Sequence, residues 1–265
     1  MTPAVQDWND PAAVAEWIAG LRRDNPRRQA QLERVVTLLG QVQARGLRLL
    51  DLGCGDGVVA EQVLIHLPGS TVVGLDQSPP MLAAAEARLA AYPGRARLVR
   101  RALDDPAPLE GEAPFDAAMA VQSVHHLDAA GKRALFAWVA AHLRPGGLFV
   151  LSDRVRLPSA ALYPYHQALY SAQQAQSGEP LLPAGYGYGA HLHALALGGD
   201  RPDTVADQLT WLRAAGFGEA DCFYREVERA IFGGLKQAAG PPDCPVPGDG
   251  SAALLDESQY VGRLL

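Results

Sequence analysis

The chain has 265 residues, 48% of them hydrophobic, so it can bury the core of one large α/β domain or of two small ones. Its 23 basic and 29 acidic residues give a net charge of −6, which argues against a broad phosphate-binding surface and a nucleic-acid partner. Three cysteines without CxxC spacing fit neither a zinc site nor a disulfide framework.

Two further features concern localisation. The N-terminal stretch MTPAVQDWND carries acids where a signal peptide would carry bases. No uninterrupted apolar run approaches the ~18 residues of a transmembrane helix. Together with the sparse cysteines, these features predict a cytoplasmic protein with no membrane partner.

Two helices are predicted ahead of the first strand. Asp10 can cap the first helix and Pro11 suits its first position, and Asn25-Pro26 repeats this signal. Apolar residues at helical spacing follow each signal: Val14, Trp17, Ile18 and Leu21, then Leu32, Val35, Val36 and Leu39. Four arginines at the helix junction are interpreted as a solvated helix end: Arg22, Arg23, Arg27 and Arg28.

From residue 47 onwards, predicted strands alternate with predicted helices. The strands are LRLLDL (47–52), TVVGLD (71–76), ARLVRRAL (96–103), FDAAMAV (115–121) and LFVLSD (148–153). The helices are GVVAEQVLIHL (57–67), PPMLAAAEARLAAY (79–92), AAGKRALFAWVAAHL (129–143) and VADQLTWLRAAGF (205–217), and a closing hairpin is expected over 219–235. This order predicts an α/β fold with a doubly wound, mostly parallel, Rossmann-like sheet and right-handed crossovers.

Residues 156–203 interrupt the alternation. LPSAALYPYHQALYSAQQAQ is predicted to be one helix interrupted at Pro164, and the glycine- and aromatic-rich PAGYGYGAHLHAL a loop. A long insertion of this kind is typical of a lid. The predicted organisation is an N-terminal helical cap (1–45), a cofactor-binding core (46–155), a lid and substrate-binding insertion (156–203), the end of the core (204–235) and a flexible tail (236–265).

The stretch LLDLGCGDG places Gly53, Gly55 and Gly57 at the carboxyl end of the first predicted strand, where open α/β sheets bind ligands. A dinucleotide site needs G-x-G-x-x-G, but here the third glycine comes one residue early. Asp51 and Asp56 would also repel a pyrophosphate, at about 1 kcal/mol or more per close pair. A phosphate-free ligand with a positive centre avoids this conflict, which favours S-adenosylmethionine, with S-adenosyl-L-homocysteine as its product.

Two further acids fit the same ligand. Asp76 ends the second predicted strand, where an acid can hold a ribose diol; its alternative role is a helix cap ahead of Ser78. Asp104 follows the third predicted strand and could accept a hydrogen bond from an adenine amino group. Its alternative role is a turn acid in LDDPAP.

Over roughly residues 30–235 the sequence resembles class I S-adenosylmethionine-dependent methyltransferases of the small-molecule type. The resemblance rests on LLDLGCGDG, VVGLDQSPPML, ALDDPAPL, FDAAMAVQSVHHL, LRPGGLFVLSD and WLRAAGF. It implies a seven-stranded sheet whose last strand pair is an antiparallel hairpin. It also implies cofactor contacts at Asp51, Gly53, Gly55, Asp76, Gln77, Met81, Leu103, Asp104, Val121 and Gln122.

Methyl transfer is an in-line displacement, so alignment and exclusion of water matter most, and a base is needed only for a protonated nucleophile. His125 and His126 follow the fourth predicted strand, and either could be the base, with His126 preferred as the one nearer the cofactor; the alternative is that the pair is a feature of a helix start that packs or hydrogen-bonds backbone. Asp153 ends the fifth predicted strand and could orient a substrate hydroxyl or amine. Its alternative is a salt bridge to Arg154 or Arg156.

The insertion concentrates aromatic side chains that suit a planar, apolar or cationic substrate. The predicted substrate-binding residues are Tyr163, His166, Tyr186, Tyr188 and Arg154. For Tyr163 and Tyr170, seven residues apart on one helix face, packing in a helical cap is the alternative. His191 and His193 have no acidic or cysteine partner at metal spacing, so no metal is predicted.

The sequence thus predicts a methyltransferase acting on a small molecule at an O, N or C nucleophile. One alternative is a non-catalytic S-adenosylmethionine-binding protein. Another is an enzyme that modifies the cofactor itself, as a carboxy-S-adenosylmethionine synthase does, which would need a fixed cation such as Arg154, Arg156 or Arg201 beside the sulfonium.

Overall fold

A computed structural model of the protein describes residues 7–21, 26–42, 46–109, 111–112, 114–177 and 187–237. Its helices are α1 (Pro11–Leu21), α2 (Pro26–Leu39), α3 (Val58–His66), α4 (Pro79–Leu89), α5 (Ala129–His142), α6 (Tyr163–Ser177), α7 (Tyr188–Leu197) and α8 (Val205–Ala214). Its strands are β1 (Arg48–Leu52), β2 (Thr71–Asp76), β3 (Ala96–Arg100), β4 (Phe115–Val121), β5 (Leu143–Arg154), β6 (Phe217–Glu226) and β7 (Arg229–Lys236). The predicted tail lies, from residue 238 on, outside the described residues.

The seven strands form one sheet in the order β3-β2-β1-β4-β5-β7-β6. All neighbouring pairs from β3 to β5 are parallel, whereas β7 runs antiparallel to both β5 and β6. The predicted doubly wound sheet and its closing antiparallel hairpin are therefore confirmed. The strand order reverses between β1 and β4, and an open sheet of this kind binds ligands in the crevice at such a point.

Side chains that alternate along the central strands build two apolar layers. Leu49 and Val150 pack on the face covered by α2 and α3, while Leu50 and Phe149 pack on the face covered by α5 and α8. This alternation follows from the two-residue period of a strand, and both faces are apolar because helices cover both. Helices thus cover both faces of the sheet, and the edge formed by the carboxyl ends of the parallel strands remains available for a ligand site.

Two sequence predictions in the insertion were wrong. The helix is not interrupted at Pro164, because this proline lies in the first turn of α6, where the missing N–H has no helical partner. A 3₁₀ turn over Ala160–Leu162 precedes it. The stretch predicted as a loop contains α7, whose Tyr188 ring lies 5.1 Å from that of Tyr163, and this packing outweighs the poor helix propensity of Gly189.

Two strand boundaries also differ from the prediction. β5 begins at Leu143 rather than at residue 148, because Leu143 already pairs with Phe115 and a register shift in β4 accommodates the intervening turn residues. β3 ends at Arg100, three residues early, so Leu103 and Asp104 lie in the loop that follows it. That loop reaches the carboxyl edge of the sheet.

The first helix packs against the same edge. Val14 and Ile18 of α1 bury against Met81 of α4, with Trp8 and Trp17 half-buried beside them. Asp10 caps α1, as predicted, by accepting a hydrogen bond from the Ala12 amide at 2.9 Å. Within the described ranges, no helix combines the length and the apolarity needed to cross a membrane.

Candidate functional site

A cavity of about 1050 Å³ lies at the carboxyl edge of the sheet. Its walls come from the loops after β1, β2, β3 and β4, from α1 and α6, and from the turn between β6 and β7. Ligand pockets usually measure about 300–1,000 Å³. The cavity is therefore large enough for a nucleoside cofactor together with a small second molecule.

The glycine loop presents bare backbone to one end of this cavity. Gly53 and Gly55 adopt φ values of 69° and 53°, in the left-handed region that favours glycine. A Cβ at Gly53 would collide with Ser123, whose hydroxyl donates to the Leu52 carbonyl at 2.7 Å. A Cβ at Gly55 would meet no protein atom within 4 Å, so this residue faces the open cavity.

Asp76 ties the glycine loop to the start of α4. Its carboxylate accepts hydrogen bonds from the amides of Gly55 and Ser78, both at 2.9 Å. Burial raises the pKa of Asp76, and these hydrogen bonds partly offset that effect. The capping role weighed for Asp76 belongs to Ser78, whose hydroxyl accepts from the Met81 amide. Asp76 therefore remains at the cavity wall.

Asp51 lies buried near the glycine loop, 1% exposed, and neither of its carboxyl oxygens has a hydrogen-bond partner among the described residues. Burial, and secondly the nearby Asp76, raises its pKa to about 8. Asp56, expected to act on the ligand with Asp51, is instead paired with Arg88 at 2.6 Å. Of these two acids, only Asp51 lacks a partner in the described part of the chain, so only its carboxyl group needs a cationic ligand to compensate it.

Nine of the ten predicted cofactor residues line the cavity: Gly53, Gly55, Asp76, Gln77, Met81, Leu103, Asp104, Val121 and Gln122. Asp51, the tenth, does not line it. Gln122 has φ 55°, a left-handed conformation that is uncommon for a residue other than glycine. Strained backbone of this kind clusters at functional sites, and Gln122 follows β4 at the switch in strand order.

The two predicted histidine candidates have different surroundings. His125 is buried, and its Nδ1 is hydrogen-bonded to a carboxylate oxygen of Asp153. Its Nε2 lies 3.4 Å from Asp200 Oδ1, and the Nδ1 of His126 lies 3.4 Å from that same oxygen. Asp153 lies behind His125 and does not line the cavity. The His125 ring is thus fixed through Nδ1, and Asp200 lies close to its other nitrogen.

His126 is the more accessible of the pair. Its side chain is 37% exposed, and its ring lies 6.2 Å from that of Trp8 across the cavity mouth. Burial of the imidazole, and then the neighbouring His125, lowers the pKa of His126 below its ordinary value of 6.5. His126 is therefore neutral near pH 7 and can accept a proton.

Asp153 neither faces the cavity, where it could orient a substrate, nor forms the salt bridge to Arg154 or Arg156 that was the alternative. Asp153 accepts from the backbone amide of Arg154 at 2.8 Å, besides bonding His125. Burial alone would raise the pKa of Asp153, but His125 and these hydrogen bonds lower it. The Arg154 guanidinium instead pairs with Asp200 at 2.6 Å.

Asp200 was missed by the sequence reasoning. It lies beyond α7, in a segment that Lys132 anchors by pairing with Asp203 at 2.6 Å, and the Arg201 amide donates to the His125 carbonyl at 2.6 Å. These contacts hold Asp200 against both histidines. The donor atoms of His125, His126 and Asp200 lie within 4.8 Å of one another, but the adjacent Arg154 charge disfavours a metal cation there.

The predicted substrate residues separate into three groups. Tyr163, His166 and Arg154 line the cavity. Tyr188 does not, because its hydroxyl accepts from the Leu157 amide at 2.8 Å and its ring packs on Tyr163. Tyr186 lies outside the described residues. The cavity is also lined by Tyr170, for which packing in a helical cap was the alternative, and by Trp8 and Trp17.

Three arginines that line the cavity, Arg28, Arg101 and Arg229, were not assigned to the site from the sequence. Arg28, interpreted as part of a solvated helix end, lies with its guanidinium 5.9 Å from the Trp17 ring, and burial lowers its pKa. Arg229 opens β7 and pairs in register with Arg154 of β5. Only the strand register brings Arg229 to the site, so no local sequence signal could have found it.

Comparisons with known proteins agree with this geometry. Residues 50–149 match a family model described as a methyltransferase domain. Trans-aconitate 2-methyltransferase of Methylobacterium nodulans is 32% identical over 169 residues, which cover 64% of this chain and 57% of that protein. The ubiquinone biosynthesis O-methyltransferase of a Bradyrhizobium species is 32% identical over 155 residues, which cover 56% of each protein.

Solved structures show the same fold. Human N-acetylserotonin methyltransferase in complex with SAM matches with a TM-score of 0.60 and 15% identity, over 87% of this chain and 58% of that chain. At this identity the likeness shows the fold alone. The chain spans somewhat more than half the length of the curated relatives named above.

The unpartnered Asp51 leads to a prediction about stability. Because its folded pKa of about 8 exceeds the unfolded value of about 3.9, the folded state holds a proton that the unfolded state lacks between those values. The free energy of unfolding should therefore fall as pH rises, by about 1.4 kcal/mol per pH unit from this group. Asp51→Asn should remove this contribution.

Urea unfolding of both proteins between about pH 5 and about pH 8 measures it. The free energy of unfolding of the wild type should fall, relative to that of Asp51→Asn, steadily as the pH rises. Asp221→Asn, at an exposed acid of β6, is the matched control and should follow the wild type. Parallel curves for all three proteins would contradict the account of Asp51.

Proposed function

Because this chain carries a class I S-adenosylmethionine-dependent methyltransferase domain, we propose that it transfers a methyl group from S-adenosylmethionine to a small-molecule acceptor. The observation that carries the proposal is the buried, unpartnered Asp51 carboxyl beside a bare glycine loop at the switch in strand order. A ligand with an ammonium group and no phosphate satisfies both features.

The cofactor would be held by acids at the ends of successive strands. Asp51, buried beside the glycine loop and not part of the cavity lining, would compensate the ammonium charge from behind that loop. At the cavity wall, Asp76 would accept from the ribose diol and Asp104 from the adenine amino group. Met81 and Leu103 would supply apolar walls for the base. When bound, the cofactor supplies an electrophilic methyl group on a positively charged sulfur.

The chain's main contribution is alignment and exclusion of water. Trp8 and Trp17 of the N-terminal region and Tyr163 and Tyr170 of the insertion line the cavity opposite the sheet edge. We propose that residues 1–45 and 156–203 serve as cap and lid over the acceptor. The half-buried rings of Trp8, Trp17 and Tyr170 suit a planar or apolar acceptor body, whereas the Tyr163 ring is buried.

His126 would accept the proton of an acceptor that enters as a hydroxyl or an ammonium group. Its lowered pKa keeps it neutral near pH 7, and Asp200 lies close enough to stabilise the positive charge that it gains. His125 acts as a positioning residue: Asp153 fixes its ring, and His125 in turn packs 4.2 Å from the His126 ring.

The class of acceptor is supported by the named relatives and by charge. One relative is named for trans-aconitate and one for ubiquinone biosynthesis, both small molecules. The net charge of −6 argues against a broad nucleic-acid-binding surface. Two free cysteines among the described residues fit a reducing compartment, so we place the protein in the cytoplasm.

The cofactor site is tested by Asp76→Ala. Loss of the carboxylate should weaken S-adenosylhomocysteine binding by about 1–3 kcal/mol, because hydrogen bonds to charged groups contribute that much. Calorimetric titration measures the dissociation constant. Asp76→Asn, which keeps one acceptor oxygen, should lose less, and Asp221→Ala on the exposed face of β6 should lose nothing. An unchanged constant in Asp76→Ala would remove Asp76 from the site.

Transfer itself is tested with methyl-labelled S-adenosylmethionine and a panel of small phenols, amines and organic acids. Labelled product supports the proposal, whereas cofactor binding without transfer to any member would favour the non-catalytic alternative. With a phenol or amine acceptor, kcat/KM should fall on the acid side with a midpoint below 6.5, the ordinary histidine value.

His126→Gln should lower kcat/KM by about 10²- to 10⁴-fold and abolish that acid limb, since proton transfer by a positioned side chain contributes that much. His66→Gln, at an exposed histidine that ends α3, is the matched control and should keep the full profile. Undiminished turnover of His126→Gln across the pH range would dismiss the base while leaving methyl transfer intact.

A further inference from the structure

Arg229 brings a half-buried side chain, one of whose guanidinium nitrogens is fully buried, to the cavity wall at β7. It lines the cavity, and its Nη1 is buried without a hydrogen-bond partner among the described residues. Burial, and secondly the like charge of Arg154, lowers the pKa of Arg229 to about 10, so it remains charged near pH 7. A buried, charged donor without a partner is costly unless a ligand satisfies it.

The carboxylates around Arg229 are already engaged elsewhere. Three of them act on its charge: Asp153, Asp200 and Glu228. Asp153 is bonded to His125, and Asp200 pairs with Arg154. Glu228 lies 2.7 Å from the Nε2 of His191. These pairings leave Arg229, which lines the cavity, with a buried guanidinium nitrogen, Nη1, that no described residue satisfies.

Backbone geometry directs Arg229 to this position. Val227, in the turn that joins β6 to β7, has φ 53°, which is an outlier for a β-branched residue. Both Val227 and Gln122, the non-glycine residues with positive φ within the described ranges, line the cavity. The strained turn begins β7 at Arg229, opposite Arg154 in the register of β5.

The position of Arg229 separates it from the proposed cofactor loop. In the sheet, β7 lies three strand spacings from β1, by way of β4 and β5. At about 4.8 Å per spacing, that amounts to roughly 14 Å. An anion held by Arg229 therefore belongs to a second molecule beside the cofactor rather than to the group beside Asp51.

We propose that Arg229 binds a carboxylate of the acceptor, so that the acceptor is a small organic acid. This inference rests on the proposed methyl transfer and names the class of its substrate. A guanidinium presents paired N–H donors that match a carboxylate. Because Asp153, Asp200 and Glu228 surround the position, a singly charged carboxylate is repelled less than a doubly charged phosphate.

The test uses the full chain saturated with S-adenosylhomocysteine. Two acids with a single carboxylate, 4-hydroxybenzoate and 3,4-dihydroxybenzoate, are titrated calorimetrically beside their primary amides. We expect at least one acid to bind about tenfold or more tightly than its amide, the ratio that a charge-assisted hydrogen bond provides. Arg229→Gln should abolish this preference, and Arg229→Lys, which keeps the charge without the fork, should retain part of it.

Arg225→Gln is the matched control, since Arg225 lies in the same hairpin but is exposed and does not line the cavity. It should keep the wild-type preference for the acid, and no variant should change the affinity for S-adenosylhomocysteine. If Arg229→Gln does not fold, a reduced preference in Arg229→Lys decides for the proposal and a full preference decides against it.

Three results would overturn the inference: equal binding of acids and amides by the wild type, an unchanged preference in Arg229→Gln, or weaker S-adenosylhomocysteine binding in that variant. The last result would assign the bound carboxylate to the cofactor. Failure of the proposed function looks different, because the wild type would then bind no S-adenosylhomocysteine or transfer no labelled methyl group.

Discussion

A carboxyl group buried without a partner, Asp51, is the constraint on which the site depends. It lies at the end of β1, where the strand order reverses, beneath a loop that glycine keeps bare. Its pKa of about 8 means that the protein alone stabilises the proton rather than the charge. A cationic ligand reverses this balance, so cofactor binding and the protonation of Asp51 are linked.

The rest of the cavity is organised by paired charges. Asp200 stands between Arg154 and the two histidines, and the ion pair of Lys132 with Asp203 anchors the segment that carries it. Lys132 is the buried partner of this pair and Asp203 is half-buried, so loss of Asp203 would leave a buried ammonium group without its carboxylate. The surroundings of the proposed base, His126, are therefore fixed. Asp51 lies on the side of the proposed cofactor, and Arg229 lies on the side of β7.

The elements that local signals determine were predicted well. Short, mostly apolar runs located β1, β2 and β4, and the glycines of LLDLGCGDG located the loop that lines the cavity. Residues set by register or by long-range pairing were not predictable. Arg229 reaches the cavity only because β7 pairs antiparallel with β5, and Asp56 is neutralised only because Arg88 of α4 packs beside it.

Calorimetric titration of the wild type with S-adenosylhomocysteine and, separately, with NAD tests the central claim most directly. Near pH 7, in two buffers of different ionisation enthalpy, S-adenosylhomocysteine should bind with release of about one proton from Asp51, and NAD should give no binding heat. Binding of NAD without binding of S-adenosylhomocysteine would contradict the account of this site.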